Sequence, residues 1–461
     1  MKRNNGSRVF PLDFFLHEDS EYHKAIFIGN INSDKLWETD DILKIPKIFA
    51  AEIDRIIRHC DELMLFLAGI NDIVVLSHPL DNAFSDYLAS YGFDVPQIEV
   101  IEQGLSYPTA GQGVLNDCGL IKRLSAYSGK NGDKCREIVS LVPYECTYEE
   151  EGIAQCIGAK LFSCGHKLNA EVNNKAFARK LAEEMGMPVL RGQLCNDLSE
   201  IISTYDKLNK YFDKIVLKEL YGSSGRGLTL IENKKQLDSI CKMIERRETN
   251  CKKKLLVEGW YDRAYSYNCQ FLVDDTIIPY CYSQQLLVNG IFMGSVFPPK
   301  MFGDEYLIGR QMEQALEIAL KVSEYGYRGI IGIDSLITNL GDVFPCIEIN
   351  ARINFSTIYF AVMKFLENPA VLICKWYQIN LTFGISFEEL LNILGEEKYD
   401  KSTKRGYFII SFGCVNANIL PDYNSDPVTG RVYVAIAGEN AHDALDQASH
   451  LESRILIYNS K

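Results

Sequence analysis

Short apolar runs alternate with amphipathic segments over the first 168 residues of the chain. The apolar runs have the length and composition of buried β-strands and lie at residues 25–30, 72–76, 98–101 and 137–142. Segments with a helical repeat of hydrophobic positions lie at residues 48–58, 82–91, 116–128 and 148–158. Strands that alternate with helices are typical of a parallel α/β layer. We therefore predict an N-terminal α/β domain, without a dinucleotide site because it has no G-x-G-x-x-G motif.

After residue 168 the pattern changes, and antiparallel pairs replace the regular alternation. Helices are predicted at residues 173–182, with Asn173 or Asn174 as the cap, and at residues 235–247 and 311–325. A strand is predicted to begin at residues 189–190, and further strands are predicted at residues 215–217, 228–231, 254–258, 265–273, 276–283, 328–338 and 343–352. The last two strands are joined by a hairpin signal at residues 339–342. Beyond residue 386 we predict a small α/β unit, with helices at 388–395 and 441–454 and strands at 406–414 and 431–437.

A glycine-rich loop, YGSSGRG at residues 221–227, lies between two predicted strands, and Lys218 stands just before it. Glycine lets the backbone approach a ligand and point its N–H groups at it, which suits a triphosphate. P-loops and dinucleotide loops lead into a helix, whereas this loop leads into a strand and has the spacing G-x-x-G-x-G. The chain also lacks the H-R-D and D-F-G motifs of protein kinases. The sequence therefore predicts a glycine hairpin over a phosphate group, and the alternative is an ordinary surface hairpin.

Carboxylates recur on the predicted hairpin of residues 328–352. Side chains two residues apart share one face of a strand, so Glu348, Asn350 and Arg352 share a face. If the two strands pair, Asp334 comes close to Glu348 and Asn350. Two carboxylates and an amide oxygen are hard ligands of the kind that Mg²⁺ prefers. The alternative is a solvated strand face on which Arg352 pairs with Glu348.

The composition excludes several classes of function. The chain has 461 residues, a formal net charge of −13, 47% hydrophobic and 24% charged residues, which suits a soluble protein of several domains and argues against a nucleic-acid scaffold. We expect no membrane partner, because no stretch reaches the length of a membrane span. The 14 cysteines form no C-x-x-C pair, and without an export signal we expect reduced thiols and a cytoplasmic location. His78 and His166 look isolated and are predicted to be structural.

Five features follow one another along the chain: Lys175, Lys218 with YGSSGRG, LLVEGW, GIDSL and EINAR. In this order they resemble the ATP-grasp superfamily over residues 171–385. The N-terminal block resembles the α/β domain that precedes this fold, and the whole chain resembles the peptide-ligase group that serves natural-product assembly. The resemblance implies an α/β protein with an α+β grasp core. The implied domains are residues 1–168 (pre-ATP-grasp), 169–385 (ATP-grasp, with a lid subdomain 169–256 and a metal-binding subdomain 257–385) and 386–461 (C-terminal unit).

The resemblance also implies roles for single residues. Lys175 and Lys218 hold the ATP phosphates, and Arg352 steadies the acyl phosphate or the tetrahedral intermediate, which makes Lys218 and Arg352 the catalytic candidates. The implied nucleotide-binding residues are the lid residues Gly222, Ser223, Ser224, Gly225, Arg226 and Gly227, the adenine hinge Glu258, Gly259 and Trp260, and the ribose candidate Asp262. The implied ligands of two magnesium ions are Asp334, Glu348 and Asn350, with Glu348 bridging. Some relatives place an arginine where this chain has Gly332, so Arg352 acts alone or with Arg328 or Arg310.

The implied reaction is ATP-dependent ligation of a carboxylate to an amine through an acyl phosphate, with ADP and phosphate as products. Alternatives are the loading of an amino acid onto a carrier-protein thiol, a phosphotransferase and a non-catalytic nucleotide-binding protein. The expected partners are an amino-acid-like or other carboxylate and an amine acceptor, with a carrier protein and a homodimer left open. Candidate specificity residues are Tyr282, Gln284, Gln285, Phe297, Pro298 and Pro299.

Overall fold

The computed structural model of the protein describes residues 10–12, 23–45, 51–129, 138–222, 225, 227–247, 252–299, 305–420 and 427–460. Within these residues the chain forms three β-sheets with helices packed against them. None of the described helices combines the length and the apolar character that crossing a membrane requires.

The first sheet is parallel and is built by the N-terminal part of the chain. Its described strands are β1 Lys24–Ile28, β2 Ile73–Leu76, β3 Gln97–Val100, β4 Val139–Pro143 and β5 Lys160–Leu161. In space they follow the order β3-β2-β1-β4-β5. The accompanying helices are α1 Ala51–Arg58, α2 Asn82–Ser90, α3 Ala110–Asn116, α4 Cys118–Tyr127 and α5 Tyr148–Ile157. The predicted parallel α/β layer is confirmed.

The helix that we predicted at residues 116–128 is α4, which begins two residues later at Cys118, whereas the preceding helix α3 was not predicted. Asp117 lies between α3 and α4, and its carboxylate accepts a hydrogen bond from the Leu120 N–H at 2.8 Å. An aspartate in this position caps a new helix, so the chain ends α3 and begins α4 here. Residues 48–50 of the predicted helix 48–58, and residue 137 of the predicted strand 137–142, lie outside the described residues.

The second sheet is small and antiparallel. Its described strands are β6 Gly192–Cys195, β7 Ile215–Lys218, β8 Leu228–Ile231 and β9 Leu255–Gly259. Their order is β6-β9-β7-β8, so β7 and β8 pair across the glycine loop as predicted. The helices in this part are α6 His166–Asn173, α7 Lys175–Glu184, α8 Leu198–Leu208 and α9 Lys234–Arg247, of which α8 and α9 share the apolar core of the sheet.

Two details of this region differ from the sequence predictions. The strand predicted to begin at Val189 begins three residues later: β6 starts at Gly192, and Leu190 packs instead against Leu336 and Phe344. Asn174 caps α7 through a hydrogen bond from the Ala176 N–H, whereas Asn173 ends the unpredicted helix α6.

The third sheet is long and antiparallel. Its described strands are β10 Arg263–Val273, β11 Ile277–Val288, β12 Ile291–Phe297, β13 Gly329–Thr338, β14 Val343–Asn350, β15 Val371–Leu381, β16 Gly406–Ser411 and β17 Val428–Gly438. Their order is β14-β13-β10-β11-β12-β15-β17-β16. The helices that follow β12 in the chain are α10 Glu305–Glu324, α11 Phe355–Phe365, α12 Phe387–Leu394 and α13 Ala441–Asn459. The strands of the C-terminal unit therefore continue the sheet that carries the predicted metal hairpin.

One apolar core joins the N-terminal layer to the third sheet. The Phe66 ring lies 6.2 Å from that of Phe408, and the Phe93 ring lies 5.3 Å from that of Phe365. Tyr87 on α2 stacks on Phe408 at 5.3 Å. Because these rings belong to one buried cluster, the N-terminal layer and the third sheet form walls of fixed relative position around the clefts between them.

Candidate functional site

The hairpin of β13 and β14 brings the predicted metal ligands together. Asp334 lies directly opposite Glu348 in the strand register, and Gly332 lies opposite Asn350. The Asn350 amide donates to one oxygen of Asp334 at 3.0 Å, and Asn268 donates to the other at 2.6 Å. The alternation of the two strands thus produces the expected convergence, while the role of these groups in binding a metal stays a prediction.

The surroundings of Asp334 disfavour its negative charge. Burial, and then the nearby carboxylate of Glu348, raise the pKa of Asp334 to about 7. Two carboxylates held together in a cavity are the kind of donor set that a divalent cation neutralises, so these residues fit magnesium. No group of three or more His, Cys, Asp or Glu within the described ranges could hold a metal, and the set here is two carboxylates with an amide.

A buried polar network supports Asp334 from the neighbouring strand and helix. Gln270 donates to Asn268 at 2.8 Å and to the Ser356 hydroxyl at 2.6 Å. Ser356 in turn donates to Asn268 at 2.9 Å, and Thr357 donates to Gln270 at 2.7 Å. This network fixes the Asn268 amide so that its N–H group points at Asp334. The sequence analysis missed it, because its members lie on β10 and α11, far apart in the chain.

The two predicted phosphate lysines are buried and lie along the same cavity. The Lys175 ammonium is 3.3 Å from a Glu348 oxygen and donates to the Gly222 carbonyl at 2.8 Å. The Lys218 ammonium lies 2.6 Å from one oxygen of Glu258, and Arg179 lies 2.7 Å from the other. Both lysines are thus aligned by carboxylates, and they line the cavity that contains Asp334.

The glycine loop is placed by its described residues. Gly225 has a φ of +80°, and a side chain there would come within 2.6 Å of the Gly290 carbonyl in the turn between β11 and β12. Only glycine allows this approach without strain. Gly225 therefore lies against the turn between β11 and β12, and Gly222, Gly225 and Gly227 line the cavities described below. Ser223, Ser224 and Arg226 lie outside the described residues.

The residues of the predicted adenine hinge, Glu258, Gly259 and Trp260, do not line the cavity that contains Asp334. The N–H groups of Gly259 and Trp260 donate to Arg191 and Lys214 carbonyls at 2.9 Å each. The carboxylate of Glu258 is held by the two cations described above. Asp262 is exposed, with its carbonyl accepting a hydrogen bond from Asn339 at 3.3 Å. The structure does not bring these four residues among the cavity-lining side chains, so their role in nucleotide binding stays a prediction.

Arg352 reaches the cavity from the end of β14. It donates to the Asn350 amide oxygen at 2.8 Å and to the Tyr144 hydroxyl at 3.2 Å, and it lies 3.5 Å from a Glu145 oxygen. Burial alone would lower the pKa of Arg352, but Tyr144 and the acidic groups of Glu145, Asp34 and Glu348 raise it above its ordinary value. Arg352 therefore carries a permanent positive charge at this point.

The position of the missing family arginine is filled by other side chains. A Cβ at Gly332 would lie 2.8 Å from side-chain atoms of both Asn268 and Asn354, which leaves no space for an arginine. Neither proposed assistant takes its place: Arg310 is exposed on α10, and Arg328 contacts Asp274 at 3.4 Å, away from this cavity.

Arg263 is a cavity residue that the sequence analysis missed. Its guanidinium lies 4.7 Å from the Trp260 ring, and its Nε has no hydrogen-bond partner among the described residues. Burial lowers the pKa of Arg263 below its ordinary value, and the charge of Asp334 opposes that shift. A bulge between Arg263 and Tyr265 breaks the alternation, which would otherwise have grouped Arg263 with the packed tyrosines of β10.

Two adjoining cavities surround these groups. We name the first the polar cavity; its charged lining residues are Lys175, Lys218, Arg263, Arg352, Asp334 and Glu348. The second, the side cavity, shares with it the residues Gly222, Gly225, Leu228, Phe292 and Phe355. Of the specificity candidates, Gln285 lines the polar cavity, whereas Tyr282 and Phe297 pack in the apolar interior.

With this geometry described, the chain can be compared with known proteins. Residues 60–159 match the family described as the Pre ATP-grasp domain. Over 400 residues the chain is 26% identical to the [butirosin acyl-carrier protein]–L-glutamate ligase of Niallia circulans, an alignment that covers 85% of this chain and 86% of the relative.

Solved structures share the fold over nearly the whole chain. An ADP complex of purK, an N5-carboxyaminoimidazole ribonucleotide synthetase, has a TM-score of 0.55 and 13% identity, covering 95% of this chain and 98% of that chain. A biotin carboxylase–β-γ-ATP complex from Campylobacter jejuni has a TM-score of 0.53 and 14% identity, covering 93% and 94%. The biotin carboxylase domain of Hydrogenobacter thermophilus 2-oxoglutarate carboxylase, with MgADP and bicarbonate, has a TM-score of 0.51 and 13% identity, covering 93% and 89%.

These likenesses confirm the sequence predictions at the level of fold and enzyme class. The chain has the ATP-grasp fold preceded by a pre-ATP-grasp domain, and the curated relative that it matches is a ligase.

Proposed function

We propose that this protein uses ATP to convert the carboxyl group of an amino acid into an acyl phosphate and transfers the acyl group to the thiol of a carrier protein, in natural-product biosynthesis. The observation that carries the activation step is the convergence of Lys175, Lys218 and Arg352 with Asp334 and Glu348 in one polar cavity. The relative from Niallia circulans supports the carrier thiol as the acceptor and L-glutamate as the first donor to test. The amide-forming reaction predicted from the sequence shares the same activation step.

The charge balance of the polar cavity supports a polyanionic substrate. Its described lining has four cations, Lys175, Lys218, Arg263 and Arg352, against two carboxylates, Asp334 and Glu348, an excess of two positive charges. The whole chain has a formal net charge of −13, so this local excess runs against the average of the protein. A cavity lined by one sign of charge concentrates ligands of the opposite sign, and a triphosphate is such a ligand.

The lysines position the phosphates. Phosphoryl transfer needs positioning and positive charge on the phosphate oxygens more than covalent help from the protein. Lys175 and Lys218 are held in place by Glu348 and Glu258, so they meet the triphosphate without having to be ordered first. We assign Asp334, Glu348 and Asn350 to magnesium, with two ions and a bridging Glu348 as part of the proposal. Bound magnesium would supply further positive charge to the phosphate oxygens.

Arg352 serves the carboxyl end of the reaction. A donor carboxylate oxygen attacks the γ-phosphorus, the bond to the ADP oxygen breaks, and an acyl phosphate forms. The acceptor thiol then attacks the acyl carbon, the carbon–oxygen bond to phosphate breaks, and the thiol proton leaves to solvent or phosphate. Negative charge develops on the acyl oxygen in the second step, and a fixed guanidinium beside it lowers that barrier.

A trapping assay tests the activation step without knowledge of the acceptor. With ATP, magnesium, L-glutamate and hydroxylamine, the protein should form a hydroxamate and one ADP per hydroxamate. Formation of AMP and pyrophosphate would contradict the acyl-phosphate route. Lys175→Ala should abolish the product, whereas Lys180→Ala, on the exposed face of the same helix, should leave it unchanged.

A second assay identifies the acceptor. The protein is incubated with ATP, L-glutamate and a carrier protein, either with or without its phosphopantetheine arm. We expect a mass increase of one glutamyl group on the armed carrier alone. A free dipeptide from a panel of added amino acids, with no change in carrier mass, would favour the amide-forming alternative.

A further inference from the structure

The side cavity lies between the N-terminal layer, the glycine loop and the third sheet. Its apolar lining includes Ile31, Ile53, Ile57, Ile291, Tyr359 and Tyr433. Four carboxylates also line it, those of Asp34, Glu38, Asp54 and Glu219, together with the cations Lys35 and Arg431. The side cavity adjoins the polar cavity, because Gly222 and Phe355 line both, so a molecule in it lies beside the site that contains Arg352.

Three of these four carboxylates have partners within the protein. Asp54 accepts a hydrogen bond from the Asn32 amide at 2.9 Å. Glu219 accepts one from the Ile45 N–H at 3.1 Å. Glu38 pairs with Lys44. These contacts give each of the three a structural explanation that needs no ligand.

Asp34 differs from them. It is only 6% exposed, and among the described residues no donor or cation lies within hydrogen-bond or ion-pair distance of its carboxylate. The neighbouring Lys35 also lines the cavity, but its ammonium donates to the Pro108 carbonyl at 3.0 Å and forms no ion pair with Asp34. The segment itself is fixed, because the Trp37 indole donates to the Cys146 carbonyl at 2.9 Å. A buried carboxylate without a partner is costly, and a ligand cation would remove that cost.

The place of Asp34 relative to Arg352 shows which cation suits it. The short turn Asp34–Trp37 and Arg352 contact the same loop: the Trp37 indole donates to the Cys146 carbonyl at 2.9 Å, and Arg352 donates to the Tyr144 hydroxyl at 3.2 Å. The donor carboxyl group is proposed to lie beside Arg352. A group bound between that carboxyl group and the wall formed by Asp34 is therefore part of the donor molecule, and in an amino acid it is an ammonium group.

We propose that Asp34 binds the ammonium group of the donor amino acid and so makes the enzyme select amino acids over the same acids without an amino group. This inference rests on the proposed function, because it takes the acid activated beside Arg352 as the donor. It makes Asp34 a specificity-determining residue that contacts the substrate. A residue that only positioned Arg352 would affect every carboxylate substrate equally.

The test compares two donors in two variants. The hydroxamate assay is run with L-glutamate and with glutarate, which has the same carbon chain and both carboxyl groups but no amino group. Asp34→Asn keeps the size of the side chain and removes its charge. The matched control is Asp54→Asn, which removes a charge from the same cavity where a partner already satisfies it.

We expect the wild-type protein to prefer L-glutamate over glutarate by about 100-fold in kcat/KM, as a buried hydrogen-bonded ion pair with substrate would give. Asp34→Asn should remove most of that preference by lowering kcat/KM for L-glutamate about 100-fold while changing that for glutarate less than about 3-fold. Asp54→Asn should keep the wild-type preference. Retained glutarate activity also shows that the variant is folded.

An equal loss with both donors in Asp34→Asn would overturn the inference and make Asp34 a positioning residue for Arg352. Calorimetry with a non-hydrolysable ATP analogue adds a readout that does not depend on turnover. If a panel of α-amino acids fails to bind while a carboxylate without an amino group binds and turns over, the inference fails and the ligase function stands. If no carboxylate yields a hydroxamate with the wild-type protein, the proposed function fails instead, and calorimetry alone then decides whether Asp34 holds an amino acid.

Discussion

Two clusters of buried charge in this molecule differ in how completely the protein satisfies them. The first surrounds the polar cavity. The second, which we name the joint cluster, consists of His59, Asp61, Glu62 and His78 and lies where the N-terminal layer meets β16. In the joint cluster one oxygen of Glu62 accepts from the Ser411 hydroxyl and from the N–H groups of Phe412 and Gly413, and the other contacts the His78 ring at 3.0 Å.

The comparison separates charges that hold the fold from charges that await a ligand. Glu62 is fully buried, and both of its oxygens are bonded within the protein. Glu348 has one ion pair, to Lys175, and its side chain is 26% exposed toward the polar cavity. A carboxylate bonded at both oxygens, such as Glu62, stabilises an interface between layers, whereas a partly exposed one, such as Glu348, keeps bonding capacity for a substrate. His78, which looked isolated in the sequence, is therefore part of a structural joint.

The largest effect should come from Glu348, the open carboxylate. Glu348→Gln should lower ATP turnover about 1000-fold and Asp334→Asn about 100-fold, because a bridging ligand serves two ions and a single ligand serves one. Both variants should need more magnesium for half-maximal rate. Magnesium titration of ADP release measures this. A wild-type magnesium response in Glu348→Gln would mean that this hairpin is as structural as the joint cluster.

Lys218 should give the next largest effect. Lys218→Ala should weaken ATP binding about 100-fold, since it removes a charge-assisted contact to phosphate, while Arg179 still pairs with Glu258. The matched control is Lys214→Ala, which removes an exposed lysine just before the same strand. Calorimetric titration with an ATP analogue checks both. Unchanged affinity in Lys218→Ala would place this lysine with the structural charges.

The joint cluster should act on stability and leave turnover alone. The pKa of His78 is raised to about 8: burial opposes protonation, and the carboxylates of Asp61 and Glu62 outweigh it. A raised histidine pKa stabilises the fold fully below its unfolded value near 6.5, and that contribution is lost as the pH rises through 8. The other titrating groups that face His78 are His59, whose pKa is lowered to about 4, Asp61, whose pKa is raised to about 6, and Glu62 and Cys60, whose pKa values are both lowered.

We therefore expect wild-type protein to lose about 2 kcal/mol of unfolding free energy between pH 6.5 and pH 8.5, beyond any loss in His78→Gln. Ionisation of Asp61 acts mainly below this window and should contribute little within it. Urea unfolding of both proteins across this range measures the difference. Identical pH profiles would show that the titration of His78 does not contribute to the free energy of unfolding. The contrast between a structural joint cluster and a functional polar cavity would then lose its support.

Local patterns in the sequence predict much of this architecture, because they depend on near neighbours. Period-two alternation places Glu348 and Asn350 on one face, and the hairpin signal brings Asp334 to them. The network around Asn268 could not be found this way, because its contact with Asp334 spans 66 residues. Helix α11 was missed for a related reason: it is buried on most of its faces, so it shows no amphipathic repeat. Asp34 comes near Arg352 only because the N-terminal layer packs against the third sheet, and no local pattern in the sequence predicts that packing.

The smallest effect should come from the glycine loop. Gly225→Ala and Gly326→Ala both place a side chain at positive φ, +80° and +89°, and each should cost about 1 kcal/mol of stability. They differ in their surroundings: the Gly225 position faces the Gly290 carbonyl at 2.6 Å beside the cavities, whereas nothing lies within 4 Å of the Gly326 position. Only Gly225→Ala should therefore displace the loop and raise the KM for ATP, by about 10-fold. Steady-state kinetics and urea unfolding of the two variants make the comparison. An equal KM for ATP in the two variants would mean that the contact between Gly225 and the β11–β12 turn stabilises the fold but does not contribute to nucleotide binding.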